Sequence, residues 1–196
     1  MRILLIWLIS ITLLGCKSKI DELFPPPAPV QLPPETQVGA NTFGCVLNSQ
    51  IWEGTSHGSI RPFVYSSPDA SYSRGDLILS ASARTESHSP IGNFWIYVGG
   101  IRRPGVYPLG KAPRRNAGDY GYAEVGSDYP LTIYATDSLR IGTITVTRLD
   151  TVSAKKFISG RFELMARPKN GGAVTAGLPA EIVAMQGRFD VMLNRP

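Results

Sequence analysis

The sequence predicts an all-β domain, either an antiparallel β-sandwich or a closed β-barrel of about nine strands. Three observations carry that prediction. From Gly39 onward the chain is made of short β-favouring runs broken by Gly, Pro, Asn and Asp. The clearest runs alternate apolar and polar residues with period two, and no segment spaces its apolar residues with the helical period. The near-regular spacing of the runs suits hairpin connections and leaves no room for crossover helices.

Taken in order, Phe43 to Leu47 and Ile60 to Tyr65 are short apolar strands. Leu77, Leu79 and Ala81 share one face of the next, so one side packs and the other meets water. Phe94-Trp95-Ile96-Tyr97-Val98 is apolar on both faces, which marks a strand covered on both sides or one whose outer face binds something. Tyr120 to Val125 and Leu131 to Ala135 follow. Ile144 and Val146 then oppose Thr143, Thr145 and Thr147, and Ile158, Phe162 and Leu164 oppose Ser159, Arg161 and Glu163. In the last strand Val183, Met185, Phe189, Val191 and Leu193 are expected inside, with Gln186, Arg188 and Asp190 outside. Gly160 and Gly187 fall mid-strand, where a missing side chain marks a bulge or a close backbone approach and lets a sheet bend.

Ahead of this domain the chain carries an address. Arg2 precedes an apolar run from Ile3 to Leu14, and Leu13-Leu14-Gly15-Cys16 reads as a bacterial lipobox. Residues 1–15 are then a signal peptide, and Cys16 becomes an acylated N-terminus held in a membrane leaflet. The run is about a dozen residues where a spanning helix needs roughly 20, so the chain is expected to be anchored rather than spanning. Each buried acyl methylene contributes about 0.8 kcal/mol, and two or three chains make the attachment effectively permanent. Lys17 stands where an Asp would signal inner-membrane retention, so the expected location is the outer membrane, on its periplasmic face or at the cell surface. Residues 16–38 hold Pro25, Pro26, Pro27, Pro29, Pro33 and Pro34 and read as a stiff polyproline tether, with residues 39–196 forming one β domain.

Composition narrows the function classes. The net charge of +5 is spread among 15 acidic residues, too mild a balance to imply nucleic acid. With Cys16 acylated, Cys45 has no partner for an intramolecular disulfide, and its apolar surroundings make it a small core side chain. His57 and His88 are the two histidines; both lie in loop-like sequence, and no His/Cys/Asp/Glu cluster has metal-ligand spacing. No strand-turn-helix pattern is present to hold the nucleophile elbow of a serine hydrolase. Asp76 with Glu86, or Asp119 with Glu124, are carboxylates that only their separation in space would qualify as a glycosidase pair. The sequence therefore points to no catalytic residue, metal or cofactor, and to a protein that is not an enzyme.

Several stretches resemble a family of small, uncharacterised Bacteroidota lipoproteins with a proline-rich tether and one β domain. They are Pro33 to Asn48 with its Asn41-Thr42-Phe43-Gly44 motif and Trp52 beyond it, Gly142 to Asp150, Ile158-Ser159-Gly160-Arg161-Phe162-Glu163, and the closing Gly187-Arg188-Phe189-Asp190-Val191. The family-typical Gly after Asn48 is Ser49 here, and the position after Gly160 that is often Thr is Arg161. The resemblance implies a β fold and no known activity.

Two surfaces are candidates for binding. Trp52, Trp95, Tyr97, Tyr120, Tyr122, Tyr129 and Tyr134 are enough aromatic surface for a sugar-stacking platform or an apolar ligand cavity, or else they fill the core. Arg102, Arg103, Lys111, Arg114 and Arg115 cluster in a Gly- and Pro-rich stretch suited to anionic lipid headgroups, lipopolysaccharide phosphates or an acidic glycan, or to a solvated loop. The expected role is a non-enzymatic binding module of the cell envelope, engaging membrane lipid through Cys16 and either an envelope protein or a glycan through its domain. A lipocalin-like carrier of a small apolar ligand is the alternative, and a hydrolase a third.

Overall fold

The computed structural model describes residues 30–54, 68–83, 91–110, 120–127, 132–169 and 178–194. Cys16, His57, His88, Lys111, Arg114, Arg115, Tyr129 and the strand expected at Ile60 to Tyr65 lie outside them. Among the described residues no helix is long and apolar enough to cross a membrane.

Among the described residues there are eleven strands: β1 Thr42–Leu47, β2 Gln50–Gly54, β3 Asp69–Ser73, β4 Asp76–Ser82, β5 Ile91–Val98, β6 Gly105–Leu109, β7 Gly121–Ser127, β8 Ile133–Ala135, β9 Gly142–Asp150, β10 Phe157–Pro168 and β11 Ile182–Asn194. Eight of them fall on runs that the period-two pattern marks. The three it does not mark, β2, β3 and β6, are five residues each and flank the others. Too few apolar positions fall in them to establish a period.

The strands form two antiparallel layers that share their longest members. The first runs β2-β1-β11-β10-β9-β6. The second runs β3-β4-β5-β7-β8. Leu193 and Asn194 at the end of β11 pair in parallel with β3, and Arg167 and Pro168 at the end of β10 pair with β8. Sandwich and barrel therefore coexist: β10 and β11 cross between the layers and close a hydrogen-bonded circuit, while β1, β2, β9 and β6 extend one layer beyond it.

Long strands cross between layers only if they bend, and the mid-strand glycines sit at irregularities. A Cβ on Gly160 would lie 2.0 Å from the Thr145 carbonyl oxygen, and one on Gly187 2.5 Å from that of Phe162. Beside Gly187 the β10–β11 register slips, with Gln186 in the left-handed region at φ 52°. That bulge corrects one sequence expectation. Phe189, Val191 and Leu193 do face the core, but upstream of the extra residue the faces exchange, so Ile182 and Ala184 are buried and Met185 is 52% exposed.

The space between the layers is filled by side chains. Phe43, Trp52, Phe94 and Phe162 form one aromatic cluster with ring centroids 4.6–6.1 Å apart. The Trp52 indole N–H donates to the Ile91 carbonyl at 2.9 Å, which satisfies its polar atom inside the core. Cys45 is fully buried as expected, and burial holds its thiol far above the ordinary range, so it is an inert packing group.

The N-terminal segment is more than a tether at its end. Pro33 is buried against Gly44, where a Cβ would come within 2.5 Å of the proline ring. Residues 33–41 then run as a strap over the outer face of β11. Asp190 holds that strap. Its carboxylate accepts from Thr36 Oγ1 at 2.6 Å, from the backbone N–H groups of Val38, Gly39 and Ala40 at 3.0, 2.9 and 3.1 Å, and from Ser159 Oγ at 2.6 Å. Burial alone raises a carboxyl's pKa, yet these donors outweigh it and hold Asp190 below the ordinary carboxylate range. The Arg188 guanidinium donates to the Pro33 carbonyl at 3.0 Å, and Arg161 pairs with Glu35.

Candidate functional site

The outer face of β5 and β7 is where sequence-marked residues meet. Alternation along β5 sends Phe94, Ile96 and Val98 into the core and leaves Trp95 and Tyr97 half-buried on the outside. Strand pairing fixes their neighbours: Trp95 lies between Ser80 and Glu124, and Tyr97 between Ile78 and Tyr122. Gly126 sits diagonally across from Trp95, and a Cβ there would be 3.1 Å from the indole. The absent side chain lets the indole lie low across β7. Tyr97 and Tyr122 have centroids 6.2 Å apart with planes inclined at 33°.

A polar edge borders these rings. Tyr122 Oη donates to Glu124 Oε1 at 2.8 Å, and Lys169 Nζ donates to the same oxygen at 2.7 Å while standing 5.7 Å from the Tyr122 centroid. Burial raises the pKa of both Tyr97 and Tyr122, with the Glu124 carboxylate adding to it, so both phenols stay protonated at neutral pH. The face thus offers stacking rings beside neutral hydroxyls and a fixed carboxylate–ammonium pair.

At the end of this face the ladder continues one step, with the Gly99 N–H donating to the Tyr120 carbonyl at 2.8 Å. A groove of about 450 Å³ opens there, lined by Val98, Gly99, Gly100, Tyr107, Pro108, Tyr120 and Gly121. Arg102 and Arg103 are exposed on the connection that borders it, and among the described residues neither makes an ion pair. Tyr107 ties that connection down by donating from Oη to the Arg103 carbonyl at 2.6 Å, and Tyr72 does the same to Ile101 at 2.7 Å.

Of the sequence candidates, the structure brings Trp95 and Tyr97 together with Tyr122, and leaves Arg102 and Arg103 exposed on the β5–β6 connection, where the Arg103 carbonyl accepts from Tyr107 of the neighbouring groove. Trp52 and Tyr134 are corrected: both are fully buried and belong to the core, so neither is part of a platform. The sequence offers Glu124 only as half of a carboxylate pair with Asp119, which lies outside the described residues. Lys169 and Gly126 carry no sequence signal, because strand pairing alone brings them to Trp95 and Tyr122. Among the described residues no group of three or more His, Cys, Asp or Glu could hold a metal ion. Comparisons with protein-family models, curated proteins and solved structures give no match to this chain.

Proposed function

We propose that this protein is a non-enzymatic binding module of the cell envelope, anchored to the outer membrane through acylated Cys16, which holds a glycan against the outer face of β5 and β7. One observation carries the reading: Trp95 and Tyr97 stand half-buried on that face, with Tyr122 buried beside Tyr97 and the Glu124–Lys169 pair flanking them. Aromatic faces stack on the C–H faces of sugar rings, while phenols, a carboxylate and an ammonium supply the donors and acceptors that sugar hydroxyls need. A carrier is less well supported, because Phe43, Trp52, Phe94 and Phe162 occupy the interior that a carrier keeps open.

The test is a glycan array probed with the full chain in detergent, beside Trp95→Ala and Tyr97→Ala variants. The expected result is retention of a glycan by the wild type and loss of at least tenfold in affinity for each variant, with unfolding still cooperative. Binding that persists unchanged in both folded variants overturns the reading.

A further inference from the structure

The aromatic face does not end in featureless surface; it runs into the groove. On the outer side of the second layer, Trp95 and Glu124 form one row, Tyr97 and Tyr122 the next, and Gly99 and Tyr120 the one after. Successive rows stand about 7 Å apart along a strand, so the aromatic strip extends over about 13 Å before it meets Tyr107 and Pro108 of β6. Gly99, Gly100 and Gly121 keep side chains off the groove's floor, and the last cannot be otherwise, since a Cβ on Gly121 would fall 1.7 Å from the Pro108 carbonyl oxygen. The result is a recess walled by two tyrosines and a proline at one end of an aromatic track.

Charge distinguishes this end from the rest. Arg102 and Arg103 are adjacent, exposed and without a described carboxylate partner. Among the described residues Asp76, on β4, is the acidic group whose charge is felt by Tyr120 and, together with that of Arg102, by Tyr72. Among those residues two guanidinium groups stand against one carboxylate. Asp76 suits sugar hydroxyl donors, whereas the planar forks of the arginines match a carboxylate in a bidentate way. At the other end of the track Lys169 is paired with Glu124, so among the described residues no such surplus appears there.

Resting on the glycan reading above, we propose that the groove is an acidic-sugar subsite: Tyr107 and Tyr120 embrace a uronate ring, Arg102 and Arg103 take its carboxylate, and the saccharide continues along Tyr97, Tyr122 and Trp95. The ligand is thereby an anionic saccharide bound with fixed polarity, its acidic unit at the β5–β6 connection.

Calorimetric titration of the full chain in detergent, with a uronate oligosaccharide and with its methyl ester, tests this. The two probes share a backbone and differ only in charge. The expected result is roughly tenfold or greater preference for the acid, lost in an Arg102→Gln/Arg103→Gln double variant that binds the ester as the wild type does. Added salt should weaken the acid and leave the ester untouched. Equal binding of acid and ester, or a double variant that keeps the preference, overturns the subsite and leaves the aromatic platform standing. Failure of both probes also overturns it, and the glycan array then decides separately whether the platform binds any sugar. Trp95→Ala, expected to weaken both probes alike, separates the two ideas within one experiment.

Discussion

The two layers of this domain use their outer faces in opposite ways. On the first layer, the chain covers its own sheet: residues 33–41 lie over β11, pinned by a carboxylate that is 1% exposed and accepts from five donors. On the second, Trp95 and Tyr97 stand half-buried on the outside with Tyr122 buried beside Tyr97, and the exposed Lys169 and the Glu124 carboxylate border them. The lesson is that apolar or polar character alone does not tell which surface is structural. Asp190 looks like a surface residue and is the keystone of a closed contact, while Trp95 looks like a core residue and is available to a ligand.

The contrast is broken most forcefully at Asp190. Asp190→Ala should destabilise the domain by about 3 to 5 kcal/mol, since it removes the charged acceptor shared by three backbone N–H groups and two hydroxyls, the buried Ser159 Oγ among them. Denaturant unfolding of the full chain measures it, and proteolysis should cut the released strap between residues 33 and 41 in the variant alone. A loss below about 1 kcal/mol would mean that the strap is held by Pro33 on Gly44 rather than by the carboxylate.

The tryptophans sharpen the same contrast. Trp52→Ala should cost about 3 to 5 kcal/mol because it empties the centre of the aromatic cluster and removes the indole hydrogen bond to the Ile91 carbonyl. Trp95→Ala should cost about 1 kcal/mol or less, the ordinary cost of a partly exposed position, while removing ligand affinity. Similar stability losses in the two variants would place Trp95 with the structural residues and withdraw the platform.

Acid separates the faces next. The Asp190 carboxyl has its pKa lowered in the folded state, so its stabilisation is fully present above the unfolded carboxyl's value near 4 and is lost as pH falls from there through the folded value. The strap should therefore loosen below about pH 4. In Asp190→Asn that part of the pH dependence should be missing, leaving the slope from the remaining carboxylates. Wild type and variant losing stability in parallel below pH 4 would exclude Asp190 as the source.

How much of this was legible in the sequence depends on how local each cause is. Period-two runs give most of the strands, and the inward faces of β4, β9 and β10, because alternation is a property of neighbouring residues. The face exchange in β11 was not legible, since one extra residue at Gln186 undoes alternation; Gly187 was the warning beside it. The Asp190 clamp was less legible still, for its donors Thr36, Val38, Gly39 and Ala40 lie some 150 residues away in sequence. Pro33 to Asn48, Ile158 to Glu163 and Gly187 to Val191 meet at the clamp only through the fold, by Asp190 with Ser159 and Arg161 with Glu35. The aromatic face was half legible: Trp95 and Tyr97 announce themselves, whereas the choice between Trp52 and Trp95 as the buried ring depends on which strand pairs with which.

The smallest expected effect lies in the β1–β2 turn, on the strapped layer. Asn48 and Ser49 both have positive φ, at 44° and 70°, as a two-residue hairpin loop requires. The two residues bear that conformation differently. Asn48 is used: its side-chain oxygen accepts from the Val183 N–H at 2.7 Å and its amide donates to the Glu181 carbonyl at 3.2 Å, tying the hairpin to β11. Ser49 has the strained backbone with no such return. Ser49→Gly should therefore stabilise by about 0.5 to 1 kcal/mol, the relief of the left-handed strain exceeding the entropy that glycine gains when unfolded. Asn48→Gly should instead destabilise by about 1 kcal/mol, because the lost hydrogen bonds outweigh the same relief. Thermal unfolding of the pair checks both signs at once, and a Ser49→Gly variant no more stable than the wild type would show that the turn carries no strain for glycine to release.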